Sequence, residues 1–238
     1  NKKVLKNINF SIPRGKIIGL LGKNGTGKTT LIKLINDLLT LDSGEIIIDG
    51  KKIGVESKKI ISIGRLSPEK GFDDLLDVFK IVNNQKKDWK LDIIGDGVLK
   101  NHLINKVKEY SLQNNVIIHG YKDKDFINKQ LSSSSIYVMA SHEESFGLVL
   151  IEAQSFALPC IAFDSAKGAC EIIDDKVNGY LIKDRSKKDM ADKIIKLIDD
   201  IEVRRDMGRH SRENSYKYSK DNISYMWFEF LQYISSKQ

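Results

Sequence analysis

From Ile60 onward the chain alternates short, almost wholly apolar runs with longer stretches in which apolar residues recur every three or four positions. The runs "KIISIGRL", "WKLDIIGDG", "NVIIHG", "SIYVMAS" and "PCIAFD" predict strands. Between them "FDDLLDVFKIV", "VLKNHLINKVKEYSL", "KDFINKQL" and "FGLVLIEAQSFAL" predict helices. In the first helix Phe72, Leu75, Leu76, Phe79 and Val82 share one face. Strands this apolar belong in a sheet covered on both sides. Their alternation with helices predicts an α/β fold, a doubly wound Rossmann-like parallel sheet. Such sheets bind ligands beyond the carboxyl ends of their strands, so the loops that follow strands are where chemistry is expected.

Residues 1–59 follow a different pattern. "VLKNINFSI" places Val4, Ile8 and Phe10 in alternation and predicts a strand, Pro13-Arg14-Gly15 a turn, and "KIIGLLG" a second, fully apolar strand. Gly22-Lys23-Asn24-Gly25-Thr26-Gly27-Lys28-Thr29 then matches the phosphate-loop pattern G-x-x-x-x-G-K-S/T. A helix follows in "TTLIKLINDLL", with Leu31, Ile32, Ile35, Leu38 and Leu39 on one face. The expected unit is strand, loop, helix. Backbone N–H groups around Gly22, Gly25 and Gly27 would wrap a pyrophosphate, and Lys28 would reach the terminal phosphates. Thr29, with Thr30 beside it, would hold Mg²⁺. ATP with Mg²⁺ is the ligand this loop predicts. An "IIGLL" run without sheet neighbours predicts poor solubility.

Charge sharpens the division. Of the net +7, residues 1–59 carry 12 Lys/Arg against 5 Asp/Glu, and the remainder carries 27 of each. Two domains are therefore expected, 1–59 and 60–238. The basic excess reads as solvated loop lysines, so no nucleic-acid partner and at most a peripheral membrane contact are expected. No apolar run reaches the roughly 18 residues needed to span a bilayer. The two cysteines, Cys160 and Cys170, have neither C-x-x-C spacing nor a histidine cluster nearby. A cytoplasmic protein, possible at the inner membrane face and without a metal site in its main domain, is the expectation.

The first 58 residues resemble the start of an ATP-binding-cassette (ABC) transporter ATPase, down to the hairpin in "LDSGEIIIDGKKI". The family's later parts are missing: there is no L-S-G-G-Q-type signature, and in "CIAFDSA" Ser165 stands where the family's Glu would follow the Asp. Hydrolysis needs metal and water positioning as well as a phosphate cradle, so steady ATP turnover is not expected.

From about residue 60 to 235 the chain resembles the donor-binding, C-terminal half of a retaining glycosyltransferase of family 4, with the GT-B fold. The residues that carry this are "GRLSPEKGFDDLL", "IIGDG", "IHGY", "SHEESFGLVLIEAQSFALPCIAFD" and "GACEIIDDKVNGYLI". The resemblance implies a nucleotide diphospho-sugar, a UDP-sugar first, as donor. It puts Arg65 and Lys70 on the diphosphate, where charge builds as the sugar leaves. It puts Glu144 near the donor sugar and Glu152 on the ribose hydroxyls. A helix beginning near Phe146 would aim its N-terminus at the phosphates, with Gly147 letting the backbone approach. Gly64, Gly95 and Tyr121 complete the implied lining. Gly95-Asp96-Gly97 alone reads as a plain turn, and His142 as a loop residue. The implied activity is transfer of a sugar to an acceptor hydroxyl in cell-surface polysaccharide synthesis. An acceptor domain, or a transporter subunit, would be a partner in trans. Two other readings stay open: an ATP-binding transporter module, and a non-functional or artificial fusion.

Overall fold

A computed structural model describes residues 4–12, 18–35, 46–48, 51–53 and 57–235. The chain divides into two compact units, Asn1–Glu56 and Ser57–Gln238.

In the first unit a helix, α1 (Lys28–Ile35), follows the glycine-rich loop, and β1 (Ile46–Ile48) pairs antiparallel with β2 (Lys51–Ile53). The hairpin and the helix start agree with the sequence. The expected strands do not form: residues 4–12 and 18–22 carry no regular structure. A strand needs a ladder partner for its backbone and a cover for its side chains. Here Val4, Ile8, Phe10, Ile18 and Leu20 stay exposed, and Leu21 is 95% exposed. Among the described side chains of α1, Leu34 is buried and the expected Ile32 is exposed. The expected helical positions Leu38 and Leu39, like the turn at Pro13-Arg14-Gly15, lie outside the described residues.

The second unit is built on six parallel strands: β3 (Lys59–Ile63), β4 (Lys90–Ile94), β5 (Val116–Ile118), β6 (Ile136–Met139), β7 (Cys160–Phe163) and β8 (Gly179–Ile182). They lie in the order β5-β4-β3-β6-β7-β8. All five predicted strands are present. Successive residues face opposite sides of the sheet, as the pleat requires. Ile60, Leu91, Ile93, Val138 and Phe163 join one core, under α2 (Phe72–Gln85), α3 (Lys100–Glu109) and α7 (Lys187–Asp199). Ile61, Ile94, Tyr137, Met139 and Ala162 join the other, under α4 (Lys124–Ser132), α5 (Leu148–Ser155) and α6 (Lys167–Ile172). The predicted inner face of α2 is buried in full: Phe72, Leu75, Leu76, Phe79 and Val82 are each 2% exposed or less. A buried side chain of this size contributes about 1.5–3 kcal/mol of transfer energy, so this face is a principal support of the unit.

Side-chain caps set several helix starts. Asp123 accepts from the Phe126 amide at α4, Ser186 from Asp189 at α7, and Asp200 from Val203 at α8 (Ile201–Ser215). The last helix, α9 (Lys220–Ser235), leaves Met226, Trp227, Phe230 and Leu231 exposed. Among the described residues no helix is long and apolar enough to cross a membrane.

The strand order determines where a ligand can enter. The chain runs outward from β3 through β4 to β5, then returns to β6 on the other side of β3 and runs outward again. Between β3 and β6 the neighbouring loops leave in opposite directions and open a crevice at the strands' carboxyl ends.

Candidate functional site

Two loops border that crevice, residues 64–71 after β3 and 140–147 after β6, and they are tied to each other. The Lys70 ammonium pairs with the Glu144 carboxylate at 2.7 Å, both side chains largely buried. The His142 amide donates to the Glu69 carbonyl at 2.8 Å. Gly71 adopts φ +63°, and a Cβ there would stand 2.0 Å from the Ala140 carbonyl oxygen, so the contact between the loops requires glycine.

The neighbouring loops extend the row. Leu66 donates to the Asp96 carbonyl, Gly64 to Ile94 and Gly95 to Gly120, each at 3.0 Å. Gly95-Asp96-Gly97 is therefore more than a plain turn: it braces the β3 and β5 loops on either side. Asp96 is lowered from its ordinary pKa, first by a hydrogen bond from Lys100 and then by the Gly97 amide. Arg65 is exposed at the rim. Its charge helps depress the Glu69 carboxyl, which the Ser67 hydroxyl lowers most. Tyr121 is 81% exposed, an open aromatic face beyond β5.

On the other side of the crevice the expected helix begins later than its pattern suggests. Phe146 lies in the loop, half-exposed and edge-on to Tyr218 at 6.0 Å. Gly147, at φ +84°, forms the N-cap, and α5 starts at Leu148. A left-handed residue there is compatible with a loop but not with the helix interior. The Glu144 carbonyl accepts from the Gly168 amide at 2.8 Å, which fixes the loop against α6. Glu152, which the resemblance puts on ribose hydroxyls, is paired with Lys124 of α4 at 2.5 Å.

The structure thus gathers Gly64, Lys70, Glu144 and Gly147 around one crevice, with Gly95 in the adjoining turn. Glu152 sits on the fifth position of α5, toward α4. The sequence reading missed Lys124. It also missed Arg185, which follows β8 and reaches the Ala140 and Ser141 carbonyls, and Asp74, which pairs with Arg185 at 2.6 Å. No local pattern marks these three.

The phosphate-loop residues lie in the first unit, so the two sets of candidates are distinct. Lys28 opens α1, and its ammonium is held by the carbonyls of Gly22 (2.6 Å) and Lys23 (2.7 Å). Gly25 and Gly27 are in the loop, and Thr29 and Thr30 in the helix's first turn.

The six-stranded parallel sheet is an α/β fold that matches GT-B glycosyltransferase structures. Comparison with known proteins agrees. Residues 44–214 match the family "Glycosyl transferases group 1", and the chain belongs to it. The match begins ahead of Ser57, inside the segment likened to a transporter ATPase, and nothing in these comparisons supports that likeness. The amylovoran biosynthesis glycosyltransferase AmsD of Erwinia amylovora is 35% identical over 176 residues, covering 74% of this chain and 48% of that protein. The crystal structure of an S. aureus TarM mutant with Fondaparinux, alpha-GlcNAc-glycerol and UDP has 32% identity and TM-score 0.67, over 73% of this chain and 35% of that one. The C-terminal domain of the group 1 family protein LpcC from Francisella tularensis has 30% identity and TM-score 0.63, over 70% of this chain and 89% of that one. The chain thus spans about half or less of the full-length relatives.

Proposed function

We propose that residues 60–238 bind the nucleoside diphosphate of a sugar donor, with UDP-sugars as the first candidates, and form the donor half of a retaining glycosyltransferase. The observation that carries this is the Lys70–Glu144 pair bridging the two loops of the switch-point crevice. Lys70 and the exposed Arg65 supply the positive charge a diphosphate needs as its sugar departs. Backbone at Gly64 and at 146–147 lines the approach. Glu152 accepts from ribose hydroxyls once Lys124 yields its place, Tyr121 offers a stacking face to the base, and Glu144 lies beside the sugar. TarM was crystallised with UDP, and AmsD is named for the biosynthesis of amylovoran. These support a place in cell-surface polysaccharide synthesis. The acceptor then comes from a further domain or partner, at the cytoplasmic membrane face.

A second reading concerns the first unit. The Gly22 and Lys23 carbonyls hold the Lys28 ammonium at the mouth of the glycine-rich loop. That is compatible with ATP phosphates on the loop and Mg²⁺ on Thr29, with or without a transporter subunit as partner. Calorimetric titration with UDP, UDP-sugars, ADP and ATP, the last two with Mg²⁺, separates the readings. UDP heat that disappears in Glu152→Ala supports the donor site. ATP heat that disappears in Lys28→Ala, with UDP silent, would replace it with the phosphate loop. Silence towards all four would favour an inactive fusion.

A further inference from the structure

Arg185 carries more contacts to the candidate site than any role so far given to it explains. Its guanidinium donates to the Ser141 carbonyl (2.9 Å), the Ala140 carbonyl (3.0 Å), the Ser165 hydroxyl (2.9 Å) and the Asp74 carboxylate (2.6 Å). It also stacks on Phe163, 4.3 Å from the ring centre. One side chain thereby joins α2 to the ends of β6, β7 and β8. His142 Nε2 stands 3.5 Å from both the guanidinium and Asp74.

The backbone at this point is unusual as well. Asp184 and Arg185 lie consecutively at φ +52° and +50°, a region non-glycine residues avoid because Cβ crowds the following carbonyl. Backbone of this kind persists where surrounding contacts over-determine it. Asp74 is itself well anchored: burial acts to raise its carboxyl, and hydrogen bonds from Lys187 and Arg185 outweigh that and lower it. Lys187 pairs with Asp74 and Asp77, and Lys106 with Asp77, so the guanidinium rests on a braced network along α2.

We infer that Arg185 is a positioning residue. Its fork fixes the first two carbonyls of the 140–147 loop, and so sets where Glu144 meets the donor's sugar and where the Phe146–Gly147 backbone meets its diphosphate. Only a planar fork reaches both carbonyls and the carboxylate together; an ammonium cannot. The inference rests on the donor-site reading, and its test keeps the two apart.

The experiment compares the purified whole chain with Arg185→Lys, Arg185→Ala and Asp74→Asn, measuring amide hydrogen exchange and UDP binding by calorimetry. In both Arg185 variants exchange within 140–147 should rise about tenfold while the amides of β6 and β7 hold. The Kd for UDP should rise by about the same factor. Asp74→Asn, which removes the anchoring charge and leaves Arg185 and the loop's own residues unchanged, should move both in the same direction by less. Unchanged loop exchange, or unchanged UDP affinity with a loosened loop, would overturn the inference. So would full recovery in Arg185→Lys, since charge alone would then suffice. Exchange rising equally in β6 and β7 would reduce Arg185 to a general structural prop. A wild-type chain silent towards UDP ends the donor reading and the positioning role with it, whereas an altered loop with intact UDP affinity ends only the latter.

Discussion

Two loops in this chain lead into helix N-termini, the glycine-rich residues 22–27 ahead of α1 and residues 140–147 ahead of α5, and they are held in opposite ways. The first matches its motif at every position, yet the apolar residues before it are exposed and form no strand. The second matches no short general motif. It is nevertheless fixed by an ion pair to Lys70, by Arg185, by the Glu69 carbonyl and by the Gly168 amide, over a sheet buried on both faces. A binding loop needs a scaffold that determines its shape before the ligand arrives. Motif fidelity and scaffold support are separate properties, and here they fall on different loops.

The comparison can be strained in several ways. The largest effect should come from the scaffold: Phe79→Ala should cost about 3–5 kcal/mol in urea unfolding followed by circular dichroism. A loss below about 1 kcal/mol would mean that the core does not hold the second loop as described. Next, Glu152→Ala should weaken UDP by about 10–100-fold, the worth of hydrogen bonds to a charged acceptor, with little change in unfolding. Equal loss in Lys28→Ala would erase the distinction between the loops.

Acid should then loosen the network under the second loop. Burial acts to raise Asp77, but hydrogen bonds from Lys106, Lys187 and Tyr110 outweigh it and lower the carboxyl to about 2. A carboxyl depressed from 3.8 contributes stability that is complete above its unfolded value and lost as pH falls towards 2. The urea midpoint should therefore drop between pH 4 and 2, and Asp77→Asn should flatten that drop. A midpoint rising on acidification would contradict the sign. The smallest effect belongs to the first loop: Leu21→Lys should change stability by no more than about 0.5 kcal/mol, as at an exposed site, while reducing aggregation in light scattering.

Much of the second unit was legible because its signals are local. The spacing of Phe72, Leu75, Leu76, Phe79 and Val82 specifies a buried face, and "SIYVMAS" and "PCIAFD" specify strands covered on both sides. Family motifs single out Glu144 and Lys70, and the structure pairs the two across the loops. Arg185 was not legible, because its partner Asp74 lies 111 residues away in sequence and "KDRSKK" reads as a solvated charged run. Lys124 was hidden in the same way, 28 residues from Glu152. Topology brings these pairs together, and one-dimensional periodicity does not record it. The first unit failed in the reverse sense: alternation at Val4, Ile8 and Phe10 satisfies the strand pattern, but pattern supplies no neighbouring strand.

The two cysteines sit in contrasting places. Cys160 is buried within β7, and burial pushes its thiol well above the ordinary value. Cys170 is exposed on α6, two residues past Gly168, the glycine that donates to Glu144 and packs against the Phe146 backbone. Burial first, then Asp164 and Glu171, raise its thiol as well, so alkylation should proceed slowly at neutral pH and faster in mild alkali. The chain therefore carries a natural single attachment point for a fluorophore behind the loop of interest, and ligand-induced motion there can be followed without engineering a new residue.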